Sequence, residues 1–222
     1  MPVRPVIFDL DGTLLDTLPD ITAACNHALT THGLRPLEPA TVVRFVGNGL
    51  YVLAERALAE VCPPPGTVTA EQIHQDLVDY YRRHPLDYTR PYPGIPELLE
   101  RLGAQGVPLA VVSNKEDGLC RLIVRHHFGD RFDAVIGMRP DLAPKPDPAM
   151  ARAAAAVWPV AADAVRYVGD SLTDRETARA AGMPFIAVSW GFRSREELET
   201  GGCRQIVHDT AELARLLDNQ IP

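Results

Sequence analysis

The stretch Val6-Ile7-Phe8-Asp9-Leu10-Asp11-Gly12-Thr13-Leu14 decides how the rest of the chain is read. Val6-Ile7-Phe8 is a short β-branched and aromatic run, bounded by Pro5 and Asp9, and it predicts a buried strand. Directly after it, Asp9 and Asp11 stand two residues apart on a tight turn, where Gly12 permits close backbone approach to a ligand. Such a pair suits a nucleophile with an acid–base partner, or two metal ligands. Alone, an Asp-x-Asp-Gly turn equally marks a helix cap or a calcium loop.

Working outward, residues 109–112, 134–136, 165–168 and 185–188 are similar β-rich runs, each preceded by a segment with helical spacing. Alternation of this kind implies an α/β fold, a doubly wound parallel sheet with helices on both faces and a site at the carboxyl ends of its strands. Residues 17–88 break the alternation. Segments 21–29, 51–61 and 73–81 show helical apolar spacing with no strand candidate between them. The expectation is a core domain of residues 1–16 and 89–222 with an inserted all-α cap domain of residues 17–88. Leu15-Asp16-Thr17 and the proline-rich 85–93 are its candidate hinges. The plainer alternative is an enlarged helical layer of one domain.

The 222 residues allow one large domain or two small ones. Apolar residues make up 46% and charged residues 23%, which excludes disordered and collagen-like classes. A formal charge of −7 argues against a nucleic-acid partner. A single small phosphorylated metabolite stays compatible, because it needs only a few local donors and a metal. Cys25, Cys62, Cys120 and Cys203 have neither metal nor disulfide spacing and read as reduced, buried thiols of a cytoplasmic protein. Met1-Pro2-Val3-Arg4-Pro5-Val6-Ile7-Phe8 is too short an apolar run for a signal peptide. No uncharged apolar run reaches the ~18 residues of a membrane helix, so no membrane partner is expected. Monomer and homodimer both stay open. Only Lys115 and Lys145 represent lysine, which makes their positions informative.

Three further signals follow predicted strands. Ser113-Asn114 supplies a hydroxyl and backbone donors; Lys145 lies in Ala143-Pro144-Lys145-Pro146-Asp147-Pro148; and Gly169-Asp170-Ser171-Leu172-Thr173-Asp174 adds two acids. In a doubly wound sheet these strand ends form one rim. Carboxylates crowded there repel unless a cation neutralises them, and oxygen-only ligands favour magnesium, which in turn bridges phosphate oxygens.

This ordered set, Asp9-x-Asp11-Gly12-Thr13, Ser113-Asn114, Lys145 and Gly169-Asp170-Ser171-x-x-Asp174, resembles the haloacid dehalogenase-like (HAD) phosphohydrolase superfamily over nearly the whole chain. The resemblance implies a Rossmann-like core with a small helical cap. It implies Asp9 as nucleophile, forming an aspartyl-phosphate, and Asp11 as the acid and base. Gly12, Thr13, Ser113 and Asn114 would bind phosphate, and Lys145 would stabilise charge. Mg2+ would be held by the Asp9 carboxylate, the Asp11 backbone carbonyl and Asp170, with Asp174 in support. Asp11, together with a cap that contains no lysine, sets the chain apart from the dehalogenases and phosphonatases of the superfamily.

In the predicted cap, Arg44-Phe45-Val46-Gly47-Asn48-Gly49-Leu50 places two glycines round an asparagine before a helix, which could receive a second anion. The segment is similar to the Val-Gly-Asn-Gly loop of phosphoglycolate phosphatases. Arg90-Pro91-Tyr92-Pro93-Gly94, Val112-Ser113-Asn114-Lys115 and Val188-Ser189-Trp190-Gly191-Phe192 add to that likeness. Arg44, Gly47, Asn48 and Gly49 are therefore candidates for substrate choice, with Arg44 facing a carboxylate or simply solvent. Gly137-Met138-Arg139-Pro140 departs from the pattern. Lys115 reads either as a subfamily feature or as a surface lysine at a helix start, Trp190 as packing at the junction of core and cap, and His126-His127 as a helix end. Asp16 and Asp20 read as helix-start residues. The expected activity is hydrolysis of 2-phosphoglycolate. The alternatives are another capped phosphatase, acting on a sugar phosphate, an amino-sugar phosphate or pyrophosphate, or a phosphomutase. A phospho-accepting signalling domain and an inactive binding homologue are the readings outside enzymes of this kind.

Overall fold

A computed structural model describes residues 4–218. The run Met1-Pro2-Val3 and residues 219–222, both within the expected core domain, lie outside the described residues. The chain divides into two compact units, Met1–Asp16 with Pro91–Pro222, and Thr17–Arg90.

The first unit is the α/β fold read from the sequence. Its sheet is built of β1 (Val6–Phe8), β2 (Leu109–Glu116), β3 (Ala134–Met138), β4 (Arg166–Gly169), β5 (Phe185–Val188) and β6 (Ile206–Val207). Their spatial order is β3-β2-β1-β4-β5-β6, with every neighbouring pair parallel. Val6, Ile7 and Phe8 have no exposed surface, as a central parallel strand covered on both faces requires. The order reverses at β1, whose neighbours are β2 and β4, so the crevice at its carboxyl end is the topological switch point where such sheets take ligands.

Two boundaries differ from the sequence reading in ways that matter. β2 does not stop at Val112 but runs on through Ser113, Asn114 and Lys115 to Glu116, with its register against β3 shifting in between. Polar residues that would ordinarily end a buried strand stay buried here because each finds a polar partner. The helix after β4 begins at Leu172, inside the Gly169-Asp170-Ser171-Leu172-Thr173-Asp174 stretch. Ser171 caps it, its hydroxyl accepting the Asp174 N–H, while the Asp174 carboxylate accepts the Ser171 N–H. Strand β6 and the helices Arg195–Thr200 and Thr210–Asp218 were not anticipated; they are too short for periodicity to show.

The second unit is helical: α1 (Leu18–Thr31), α2 (Leu50–Val61) and α3 (Ala70–Arg83), with a short turn at Pro39–Val42. Ile21, Cys25 and Leu29 of α1 pack in its core with Leu53 and Ala57 of α2 and Ile73, Leu77 and Tyr81 of α3. Gly47 and Gly49 adopt φ of 119° and 87°, as the glycine reading of that loop expects, and α2 starts at once after Gly49. Cys62 corrects the thiol reading: it is exposed, with its Sγ–H 2.8 Å from the Ala59 carbonyl. Among the described residues no helix is long and apolar enough to cross a membrane.

Of the two acids read as helix-start residues, Asp20 lies in the first turn of α1 and Asp16 lies before it. Asp16 ends the two-residue strand Leu15–Asp16. Asp20, 1% exposed, accepts the Tyr88 N–H at 2.9 Å and the Thr89 N–H and hydroxyl at 2.8 and 2.7 Å, tying the first turn of the helical unit to its last residues. Asp20→Ala would strand those buried donors and should destabilise the unit by about 2–3 kcal/mol. Urea unfolding, with hydrogen exchange of residues 17–90 as the local readout, measures this. Unchanged protection there would show that the tie carries no stability.

Candidate active site

Asp9 leaves the end of β1 with its N–H on the Val168 carbonyl of β4, at 2.8 Å. Its Oδ1 accepts from Lys145 Nζ at 2.6 Å, and the same ammonium reaches Asp174 Oδ1 at 2.7 Å. All three groups are buried. The Asp9, Asp170 and Asp174 carboxylates offer oxygens that lie within 4.8 Å of one another. Phe192 N–H holds Asp170 Oδ2 at 2.7 Å, and Ser171 Oγ holds Asp174 Oδ2 at 2.5 Å. Among the described residues, Oδ2 of Asp9 and Oδ1 of Asp170 make no hydrogen bond, so they are the oxygens left for a cation.

Electrostatics follow from this crowding. Burial, and then the Asp174 carboxylate, push the Asp9 carboxyl well above its ordinary range, with Lys145 opposing. The same two causes raise Asp170 to about 7. Burial works against the Lys145 ammonium, but Asp174 and Asp9 outweigh it and hold the proton on. Three packed carboxylates with a single ammonium suit a hard divalent cation, and the all-oxygen donor set is the one magnesium takes.

Asp11 lies outside the carboxylate cluster. Its Oδ1 is 3.0 Å from Lys115 Nζ and its Oδ2 accepts from Ser113 Oγ at 3.3 Å. Lys115 is therefore no surface lysine: its side chain is 2% exposed. Thr13 is 1% exposed, and its Oγ1 has no hydrogen-bond partner among the described residues, an orphaned donor at the turn that holds both aspartates.

The side chain of Asn114 binds the backbone of Lys145. Its amide donates to the Lys145 carbonyl at 2.9 Å and accepts the Lys145 N–H at 2.8 Å, so β2 grips the backbone of the loop that carries Lys145. The Lys145-Pro146 bond in that loop is cis. In the helical unit, Arg44 is exposed and lies 5.9 Å over the Phe45 ring, and Asn48 is exposed between its two glycines. Arg139 pairs with Asp141 at 3.0 Å, and His126-His127 lie in the last turn of the helix Asp117–Phe128.

Sequence reasoning missed what the loop after β5 does. Trp190 Nε1 donates to the Thr13 carbonyl at 3.1 Å, while Phe192 N–H fixes Asp170. A Cβ at Gly191 would collide with the Gly12 carbonyl and with Asp170, and one at Gly12 would meet Asp170 again. Gly12 also needs its φ of 86°. The signal was a glycine between two aromatics, legible only as a loop that must pass close to something.

Residues 6–188 match the family model described as haloacid dehalogenase-like hydrolase. A phosphoglycolate phosphatase of Cereibacter sphaeroides (strain ATCC 17025) is 40% identical over 192 residues, 85% of this chain and 86% of that protein. One from Rhodospirillum rubrum is 38% identical over 216 residues, 95% and 89% of the two chains. A crystal structure from Lactobacillus delbrueckii subsp. bulgaricus, of a candidate phosphoglycolate phosphatase, superposes with a TM-score of 0.92 at 34% identity, covering 98% of this chain and 99% of that one. The match to the family model contains every carboxylate and both lysines of the site, and on that footing the chain belongs to the haloacid dehalogenase-like hydrolase family.

Proposed function

We propose that this protein is a cytoplasmic, magnesium-dependent phosphatase that hydrolyses a small phosphorylated metabolite, 2-phosphoglycolate, through an aspartyl-phosphate on Asp9. The observation that carries the reading is the Asp9 carboxylate, buried at the sheet's switch point with one oxygen on Lys145 and the other unbonded among the described residues. The names of the relatives support the substrate.

In the first half-reaction, a carboxylate oxygen of Asp9 attacks phosphorus in line. The Asp9–phosphorus bond forms as the bond to the leaving oxygen breaks, and Asp11 gives its proton to that oxygen. In the second, Asp11 takes a proton from water, whose oxygen bonds to phosphorus and releases Asp9 and inorganic phosphate. Lys145 steadies the negative charge on Asp9 and on the phosphoryl oxygens. The Thr13 and Ser113 hydroxyls donate to those oxygens, which would satisfy the orphaned Thr13 Oγ1. Asp9, Asp170 and the backbone carbonyl of Asp11 would hold Mg2+, with Asp174 in support. When bound, the ion supplies charge neutralisation between the carboxylates and the phosphoryl group.

The helical unit serves as a cap in this reading. Its loop of Arg44, Gly47, Asn48 and Gly49 supplies the partner for a substrate carboxylate, Arg44 by charge and the α2 N-terminus by its free N–H groups.

Phosphate release from a substrate panel, with and without Mg2+, tests the whole reading. Asp9→Asn should cut turnover by about 10³-fold or more while circular dichroism stays unchanged. Appreciable residual activity would remove Asp9 as nucleophile. Phosphoglycolate should turn over far faster than an uncharged alkyl phosphate of similar size, and equal rates would end the carboxylate assignment. Thr13→Val carries a two-sided signature: KM for phosphoglycolate should rise, while thermal stability holds or increases by about 1 kcal/mol, because the lost hydroxyl is unpartnered in the free protein. A clear loss of stability would show that the hydroxyl already has a structural partner.

A further inference from the structure

We infer that Lys115 is the positioning residue for Asp11: it holds the acid–base carboxylate at the rim of the site while phosphate takes the Ser113 hydroxyl. This rests on the reading of Asp11 as acid and base given above.

The two lysines of the chain are both buried in this site, and each addresses a different aspartate of the Asp9-Leu10-Asp11 pair. Lys145 is taken by Asp9 and Asp174; Lys115 reaches Asp11 Oδ1 at 3.0 Å. The second oxygen of Asp11 meets Ser113 Oγ at 3.3 Å, and that hydroxyl in turn accepts the Lys115 N–H at 3.2 Å. Asp11, Ser113 and Lys115 therefore form a closed ring on the irregular end of β2.

The ring has one exchangeable member. A hydroxyl has a single proton, so a Ser113 that donates to a phosphoryl oxygen no longer donates to Asp11. The ammonium has three N–H donors, so one can stay on Asp11 while the others serve elsewhere. Its side chain is 2% exposed, which leaves it little freedom to swing toward water. When substrate draws Ser113 away, Lys115 is the contact that keeps the Asp11 carboxylate in place, where it must meet the leaving oxygen. The sequence explains the placement. Because β2 continues past Val112, Lys115 lies two residues beyond Ser113 along an extended segment and shares its side of the chain.

The experiment is the dependence of kcat/KM on leaving-group acidity across substituted phenyl phosphates, from phenyl to 4-nitrophenyl. This ratio reports the first half-reaction, and none of these substrates has a carboxylate. A poor leaving group needs the proton from Asp11; 4-nitrophenolate does not. Lys115→Met should lose about 10- to 100-fold on phenyl phosphate and less than about 3-fold on 4-nitrophenyl phosphate, with Asp11→Asn steepening the series in the same sense. The double variant should be no steeper than Asp11→Asn alone. Where Met does not fold, Lys115→Gln carries the same measurement. A steep series for Asp11→Asn with an unchanged slope for the Lys115 variants overturns the positioning role. So does an equal loss on every substrate, or a loss confined to phosphoglycolate, which would make Lys115 a ligand of the substrate carboxylate. If Asp11→Asn itself leaves the slope unchanged, it is the reading of Asp11 as acid that fails.

Discussion

A buried ammonium between two buried carboxylates is the constraint on which this molecule is organised. Lys145 Nζ lies 2.6 Å from Asp9 and 2.7 Å from Asp174, in a place where neither sign of charge is tolerable alone. With Asp170 beside them, three carboxylates crowd round one ammonium, so full ionisation leaves the cluster with excess negative charge. The protein alone meets that excess by pushing carboxyls toward their neutral form, seen in the raised Asp9 and in Asp170 near 7. A divalent cation would meet it instead by restoring full charge to Asp9. The same crowding that is costly in the free protein suits the cluster to a doubly charged ion.

Everything near the cluster acts to keep these groups from moving apart. β1 and β4 are hydrogen-bonded neighbours, so Asp9 and Asp170 leave adjacent strand ends. Asp174 is fixed by the helix that Ser171 caps, which turns a capping carboxylate into a partner of Lys145. Asn114 bonds both backbone groups of Lys145, in the manner of one more strand residue, and so positions a loop that has no ladder of its own. Trp190 and Phe192 close the other side, with Gly191 passing where no side chain fits. Lys145 and Asp174 each carry a further bond beside the one they share, Lys145 to the Val112 carbonyl and Asp174 from the Ser171 hydroxyl.

The chemistry-bearing residues were legible in the sequence because they follow a simple rule: acids and hydroxyls placed just past apolar runs in an α/β alternation converge at strand ends. The sheet and the helical insertion were legible for the same reason, since 3.6 and 2.0 periodicities survive wherever an element is long enough to show them. What escaped has a common cause, in that its meaning is tertiary. Nothing local to Asn114 reveals that its amide is matched to the Lys145 backbone. Lys115 looked equally like a surface residue, because polar residues at a strand end are usually solvated and its partner Asp11 stands over a hundred residues earlier. Asp20 is legible as a helix-start residue but not as a tie, because its partners lie far along the chain, at Tyr88 and Thr89.

Asp9 and Asp11 show how far environment alone can separate two like side chains. They are two residues apart on one turn, a spacing that would point both to the same side of a regular strand. The turn at Gly12 lets them diverge, Asp9 into the carboxylate cluster with Lys145, Asp11 out of it toward Ser113 and Lys115. The divergence matters because the proposed roles are incompatible in one place. A nucleophile must meet phosphorus as an anion next to cations, whereas an acid–base group must carry a proton outward to a leaving oxygen and then accept one from water. If both carboxylates lay in the cluster, a divalent cation there would hold both ionised, and no proton donor would remain. The two lysines, one for each aspartate, are what keep the two chemistries apart.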